Sequence, residues 1–411
     1  MTRNIIALIG LVLLAGCSGG GGDPSTTSPA PPPATPAAQP DMLTATPQGL
    51  LRGKANGQGQ RLIFAQPNLH REKVFSSQGD VVYSRGHVVQ QEDIWTVRTD
   101  GTGDHALLNT PARERLNAVS SPWIMYTLTD PQVESRSLRL DTQAQFVMNN
   151  TGYPAEFAFF QNGQRVMVME EYALFSKTTN GTDEVVHARV DDYGQQYTRF
   201  GGTWIVEDTL VYRIVLDDGH GFLSDLYAVP LAGGAAVQLD DAQTDVGIAI
   251  SSGRRIVYPH CSGFGVAGCD VSSVNLDGTG RVTLANHPAN EALQGVTTSQ
   301  AIIRRNLAGS DQLIAVPVSG GPEKLLMTMT DNEFVDLIVG DLLIVRRPSG
   351  TWSLDLNGKF TKLGTIVGDS GFVAVGDAVC VTKVTAVWCM PLDGSGPQFK
   401  IADQGKVVGV L

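Results

Sequence analysis

From about residue 49 onward the chain alternates short apolar runs with turn residues, and little of it keeps a helical period. Residues 93–108 show the unit most clearly. Ile94-Trp95-Thr96-Val97 reads as a strand, Asp100-Gly101 as a tight turn, and Ala106-Leu107-Leu108 as a second strand. The same arrangement recurs at 137–148 around Asp141, 185–200 around Asp191-Asp192 and 226–239 around Gly233-Gly234. It returns at 271–284 around Asp277-Gly278, 313–326 around Gly320-Gly321, 352–363 around Asn357-Gly358 and 387–401 around Asp393-Gly394. A degenerate copy at 51–64 carries Asn56-Gly57.

Turn positions 100, 141, 191, 232, 277, 319, 357 and 393 are separated by 41, 50, 41, 45, 42, 38 and 36 residues. A period near 40–45 residues with four strands per unit predicts an all-β fold, a β-propeller. Two further strands precede several copies, as at 203–206 and 210–215, 246–250 and 255–258, 334–339 and 342–345, and 371–375 and 379–382. Eight well-formed units predict eight blades, or seven if one unit is irregular. Residues 403–411 read as one more first strand that completes the first blade and closes the ring, which hides sheet edges. The 51–64 copy is then either the outer part of that closing blade or an ordered tail.

These residues resemble the TolB-type and WD40-like propeller repeats of bacterial periplasmic proteins. In that family the third strand resembles Ile-Trp/Tyr-x-Val-x-x-Asp-Gly. Ile94-Trp95-Thr96-Val97-Arg98-Thr99-Asp100-Gly101 follows it closely, and Leu226-Tyr227-Ala228-Val229 and Leu313-Ile314-Ala315-Val316 share its frame. The resemblance covers roughly residues 50–411. The family's Ser-Pro-Asp-Gly turn between the first two strands is largely missing, with Gln161-Asn162-Gly163 the nearest match.

The first 16 residues differ from the rest. Arg3 supplies a positive start, residues 5–14 form an apolar run too short to span a bilayer, and Leu14-Ala15-Gly16-Cys17 matches the bacterial lipobox. The resemblance implies a lipoprotein signal peptide over 1–16, removed to leave Cys17 as the lipid attachment residue. Several acyl chains on Cys17 anchor a domain stably where one would be marginal. Ser18, rather than Asp, follows the cysteine and favours the outer membrane. Residues 17–48 are rich in Gly, Ser, Thr, Pro and Ala, so they read as a disordered, lipid-anchored linker, and 49–411 as the propeller domain.

Composition narrows the function. Acids outnumber bases 41 to 30, a net charge of −11, which argues against a nucleic-acid partner. Losing Arg3 with the signal leaves 41 acids and 29 bases, or −12. Besides Cys17 there are four cysteines. Cys261 and Cys269, and Cys380 and Cys389, each straddle the expected turn between second and third strands, so two cross-strand disulfides are expected in an oxidising compartment. They lack C-x-x-C spacing and clustered histidines, so no zinc is expected.

No other motif carries chemistry convincingly. Gly368-Asp369-Ser370-Gly371 resembles a trypsin-like nucleophile segment without its partners, and it precedes a strand as a turn. His220 and His260 fall after second strands and are placed to share a face, where lyase-type chemistry would need His, Arg and Asp to converge. Asp217-Asp218-Gly219-His220-Gly221 lacks the spaced oxygens of a calcium loop. Trp95, Trp123, Trp204, Trp352 and Trp388 read as packing between blades rather than a ligand cage. No catalytic residue, cofactor or metal is assigned. The expectation is a monomeric, lipid-anchored envelope propeller acting as an interaction module for an envelope protein or a glycan rather than as an enzyme. The alternative is a glycan- or small-ligand-processing enzyme with its site at the channel mouth.

Overall fold

The structure is a computed structural model and describes residues 40–67, 73–77, 79–88, 91–129, 133–149, 155–193, 197–217, 222–240, 245–247, 249–261, 268–367, 370–383 and 385–410. Among the described residues, 37 strands form nine blades of four, because the innermost strand of blade 6 is broken into Asp245–Val246 and Ile250–Ser252. Blade 1 is built from both ends of the chain. Its innermost strand is Lys406–Val410, followed outward by Asp41–Thr46, Gly49–Lys54 and Arg61–Ala65. Blades 2 to 9 then occupy 74–108, 114–149, 156–189, 197–238, 245–285, 291–329, 334–364 and 370–402 in chain order. Within each, neighbouring strands are antiparallel. Blades 5 and 6 also touch through a parallel bridge between Ser224 and Asp245, which joins them into one sheet.

The count is therefore nine, rather than the eight or seven expected. The degenerate 51–64 copy is the third and fourth strands of a full blade. Its second strand, Asp41–Thr46, lies inside the 17–48 segment read as linker, where nearby proline and threonine obscure the alternation. Its register against the C-terminal strand, Met42 opposite Val410 and Ala45 opposite Lys406, closes the ring as anticipated.

Packing supports the same count. Each strand alternates its side chains between the two neighbouring blades. Nine apolar clusters result, one at every joint, including that between blades 9 and 1 around Met42, Val375 and Cys380. At about 25 cal/mol per Å² of apolar surface buried, these joints are the main stabilising layer of the fold.

The recurring turn joins third to fourth strands and also locks one blade to the previous one. Asp100 accepts the Thr102 backbone N–H at 2.8 Å, and Asp277, Asp355 and Asp393 accept in the same way from residues two positions on. The hydroxyls of Thr102, Thr279 and Ser395 and, for Asp355, the Lys359 N–H add the larger share, and together with these bonds they hold all four carboxyls below the usual aspartate range. Gly101 has φ of +90° and sits directly on the carbonyl of Ile63 in blade 1, leaving no room for a side chain. Gly394 sits likewise on the Lys362 carbonyl of blade 8, and Gly278 and Gly320 lie against valines of the preceding blade.

One repeat is framed differently from expectation. In blade 4 the turn is Asn180-Gly181, with Asn180 Oδ1 accepting the Thr182 N–H at 3.2 Å. Asp191-Asp192 instead lie in a short 3-10 helix, Val190–Tyr193, after the outer strand.

Candidate binding cleft

The cysteine pairs occupy facing positions on the second and third strands of blades 6 and 9, with Cα–Cα distances of 4.1 Å for Cys261–Cys269 and 4.0 Å for Cys380–Cys389. Both pairs stand at disulfide distance. Cys380 and Cys389 are fully buried against Met42 of blade 1. Cys17 lies outside the described residues, as do His220, residues 218–221 of the acidic loop, and Gly368-Asp369. Ser370 begins the inner strand of blade 9. His260 is partly buried opposite Asp270, with Nε2 2.9 Å from Ser272 Oγ. Burial lowers its pKa, while Asp270 opposes that shift. Among the described residues no group of three or more His, Cys, Asp or Glu side chains is placed to hold a metal.

Three glutamates that attracted no notice in the sequence are buried where inner strands begin. Glu291 accepts the His287 N–H at 3.3 Å and Arg305 Nε at 2.8 Å. Glu333 accepts the Thr330 N–H at 2.8 Å and Arg347 Nε at 2.5 Å. Glu114 accepts the Thr110 N–H at 3.1 Å, but the facing position on its second strand is Leu128 instead of an arginine. Its Oε2 is buried with no hydrogen-bond partner, and desolvation raises its pKa. These carboxylates tie the interblade loops to the sheets, which accounts for their burial without any catalytic role.

The tryptophans divide. Trp95, Trp204 and Trp388 pack against the clusters between blades, as expected, and Trp352 lies near Arg347 and Phe360. Trp123 does something else. It opens the second strand of blade 3, opposite Arg139, and shares a sheet face with Met125, Phe146 and Met148. That face looks toward blade 4, where Met125 and Met148 pack in the joint. Beyond them the packing gives way to a cleft of about 400 Å³ lined by Trp123, Arg139, Phe146, Gln164, Thr178 and Asn180, among others.

The cleft has an aromatic floor and polar walls. Trp123 and Phe146 have ring centroids 5.9 Å apart, tilted by 55°. Arg139 lies 5.7 Å from the Trp123 ring and donates from Nη2 to Asp141 Oδ2 at 3.0 Å, so its charge is balanced. Across the gap, Asn180 Oδ1 is engaged by Thr178 Oγ1 at 2.5 Å and by Thr182 Oγ1 at 2.7 Å as well as by the Thr182 N–H. With the oxygen so occupied, the amide can offer its NH₂ group. The position of Trp123 is distinctive. At the first residue of the second strand, the other eight blades place Asp, Arg, Thr, Gln, Leu or Ala, never an aromatic. That signal becomes visible only once every strand has its correct frame.

No protein family matches the chain, and neither does any curated protein. Solved structures do. A dipeptidyl peptidase 4 from Porphyromonas gingivalis is similar with a TM-score of 0.55 and 11% identity, over 85% of this chain and 60% of that one. An oligogalacturonate lyase in complex with manganese has a TM-score of 0.45 and 12% identity, over 77% of this chain and 97% of that one. A puromycin hydrolase has 0.47 and 15%, over 82% and 54%. At these identities the likeness to the peptidase concerns the propeller fold alone, and this chain spans about 60% of that protein.

Proposed function

We propose that this chain is a lipid-anchored cell-envelope propeller that works as an interaction module, with the cleft between blades 3 and 4 as its docking point. The lipobox ending at Cys17 supports anchoring, and the Gly/Pro-rich residues after it support a tether that holds the ring off an outer-membrane surface facing the periplasm. The observation that carries the reading is the cleft at Trp123. The joint between blades 3 and 4 opens into a cleft furnished with an aromatic floor and a pre-set amide. A rigid ring suits such a role, because ordering costs on binding are small when the site is already built.

The test is site-specific photocrosslinking in a bacterium carrying the full-length lipoprotein. A photoreactive residue replaces exposed Thr142 at the cleft rim, and a control replaces exposed Tyr172 between the second and third strands of blade 4. Adducts specific to position 142 that disappear with Trp123→Ala support the proposal. Adducts that are the same from both positions, or indifferent to Trp123→Ala, overturn it. For the anchor, Cys17→Ala is expected to move the protein from the membrane to the soluble fraction.

A further inference from the structure

Resting on that reading, we infer that the Trp123 cleft is a saccharide site, built for a neutral, hydroxyl-rich ligand. Three features of the lining define the ligand class. The floor is an aromatic pair, Trp123 and Phe146, which suits the flat C–H face of a pyranose ring. The walls are amides and hydroxyls, Gln164, Thr178 and Asn180, which match alternating donors and acceptors around a sugar. The local charge is balanced, because Arg139 is held by Asp141.

Each feature argues against a competing ligand. A phosphate or polyanion would call for an uncompensated cation, and the guanidinium here is already engaged. An acyl chain would call for an unbroken apolar wall, and this one is interrupted by polar groups on the blade 4 side. A peptide added as an extra strand would pair with the backbone edge of Gln145–Asn149, the outer strand of blade 3, whereas the cleft is lined by side chains on the blade face, Phe146 of that strand among them. The volume of about 400 Å³ lies within the usual range for small-ligand pockets. Asn180 is the specificity element. Its side-chain oxygen maintains the turn while its two N–H donors remain for ligand hydroxyls.

The experiment uses the mature full chain with Cys17→Ser, titrated by calorimetry and saturation-transfer NMR. The probes are glucose oligomers and N-acetylglucosamine oligomers, with a galacturonate oligomer as anionic comparator and a proline-rich peptide as non-saccharide comparator. The expected result is binding of at least one neutral oligomer with Kd of about 1 mM or tighter. Trp123→Ala should weaken it by about tenfold or more, equivalent to about 1.4 kcal/mol. Asn180→Asp keeps the turn acceptor but removes the donors, so it should fold normally and also weaken binding. The inference is overturned if no neutral oligomer binds, if the galacturonate or the peptide binds more tightly, or if binding ignores both substitutions. Crosslinks that still depend on Trp123 when no saccharide binds would remove the sugar and leave the interaction module standing; their loss as well would remove both.

Discussion

The turn glycine of blade 2 offers a measurement of what one joint in the ring is worth. Gly101 and Gly103 lie two residues apart in the same turn, with φ of +90° and +72°. A Cβ at Gly103 would meet nothing within 4 Å, whereas one at Gly101 would overlap the Ile63 carbonyl oxygen and come within 3.0 Å of its carbon. Gly103→Ala therefore costs only the positive-φ penalty of an L-residue, about 1–2 kcal/mol. Gly101→Ala costs the same plus the displacement of the outer strand of blade 1, about 1–3 kcal/mol more by analogy with overpacking. Urea unfolding of the mature chain at pH 7 reads the difference as a shift in midpoint, provided the two variants share an m-value. The argument fails if the two substitutions agree within about 0.5 kcal/mol, the scatter of ordinary surface changes. In that case the turns would simply terminate strands without holding blades together.

His187 is buried with Nε2 3.0 Å from Ser176 Oγ, and desolvation lowers its pKa from 6.5 to about 4. The unfolded chain then binds the extra proton first, so stability should fall as pH drops from about 6.5 to about 4, by about 3 kcal/mol, and His187→Gln should flatten that limb of the profile. Leu128 faces both Glu114 and Glu134, so Leu128→Arg should supply the partner that Glu291 and Glu333 already have. A double-mutant cycle with Glu114→Gln should give a favourable coupling of about 1–3 kcal/mol at pH 7, and zero coupling would refute the pairing. The cysteine pairs are 8 and 9 residues apart, so each disulfide should contribute about 2.5 kcal/mol by loop closure. Mass spectrometry of alkylated protein after mild reduction should find Cys261 and Cys269 open before the fully buried Cys380 and Cys389.

Turn chemistry made most of the ring legible from residues alone. Asp-Gly, Asn-Gly and Gly-Gly mark third-to-fourth-strand turns because they combine a side-chain acceptor or a free φ with close approach to the preceding blade. Where another pair of polar residues lay nearby, the marker misled. Asp191-Asp192 drew attention from Asn180-Gly181, whose amide and neighbouring threonines build the same turn. Blade 1 was obscured for a different reason. Its strands are collected from residues 406–410 and 41–65, so no local window contains the unit. The cleft was less visible still. Trp123 looks like any strand tryptophan until its register partner Arg139, its face-mate Phe146 and the facing turn of blade 4 are brought together by packing.

Closure by Lys406–Val410 has a consequence for how the molecule comes into being. Met42 and Val410 are partners separated by almost the whole chain. A polypeptide delivered N-terminus first, from a ribosome or through a translocation pore, holds Asp41–Thr46 without its inner neighbour until the final residues arrive. During that interval the joint between blades 9 and 1 has one wall only, and its apolar residues stay exposed to water. Contacts of such long range form late and slowly. Blade 1 thus cannot be completed before Lys406–Val410 has been made, so its joint with blade 9 is among the last parts of the ring to form.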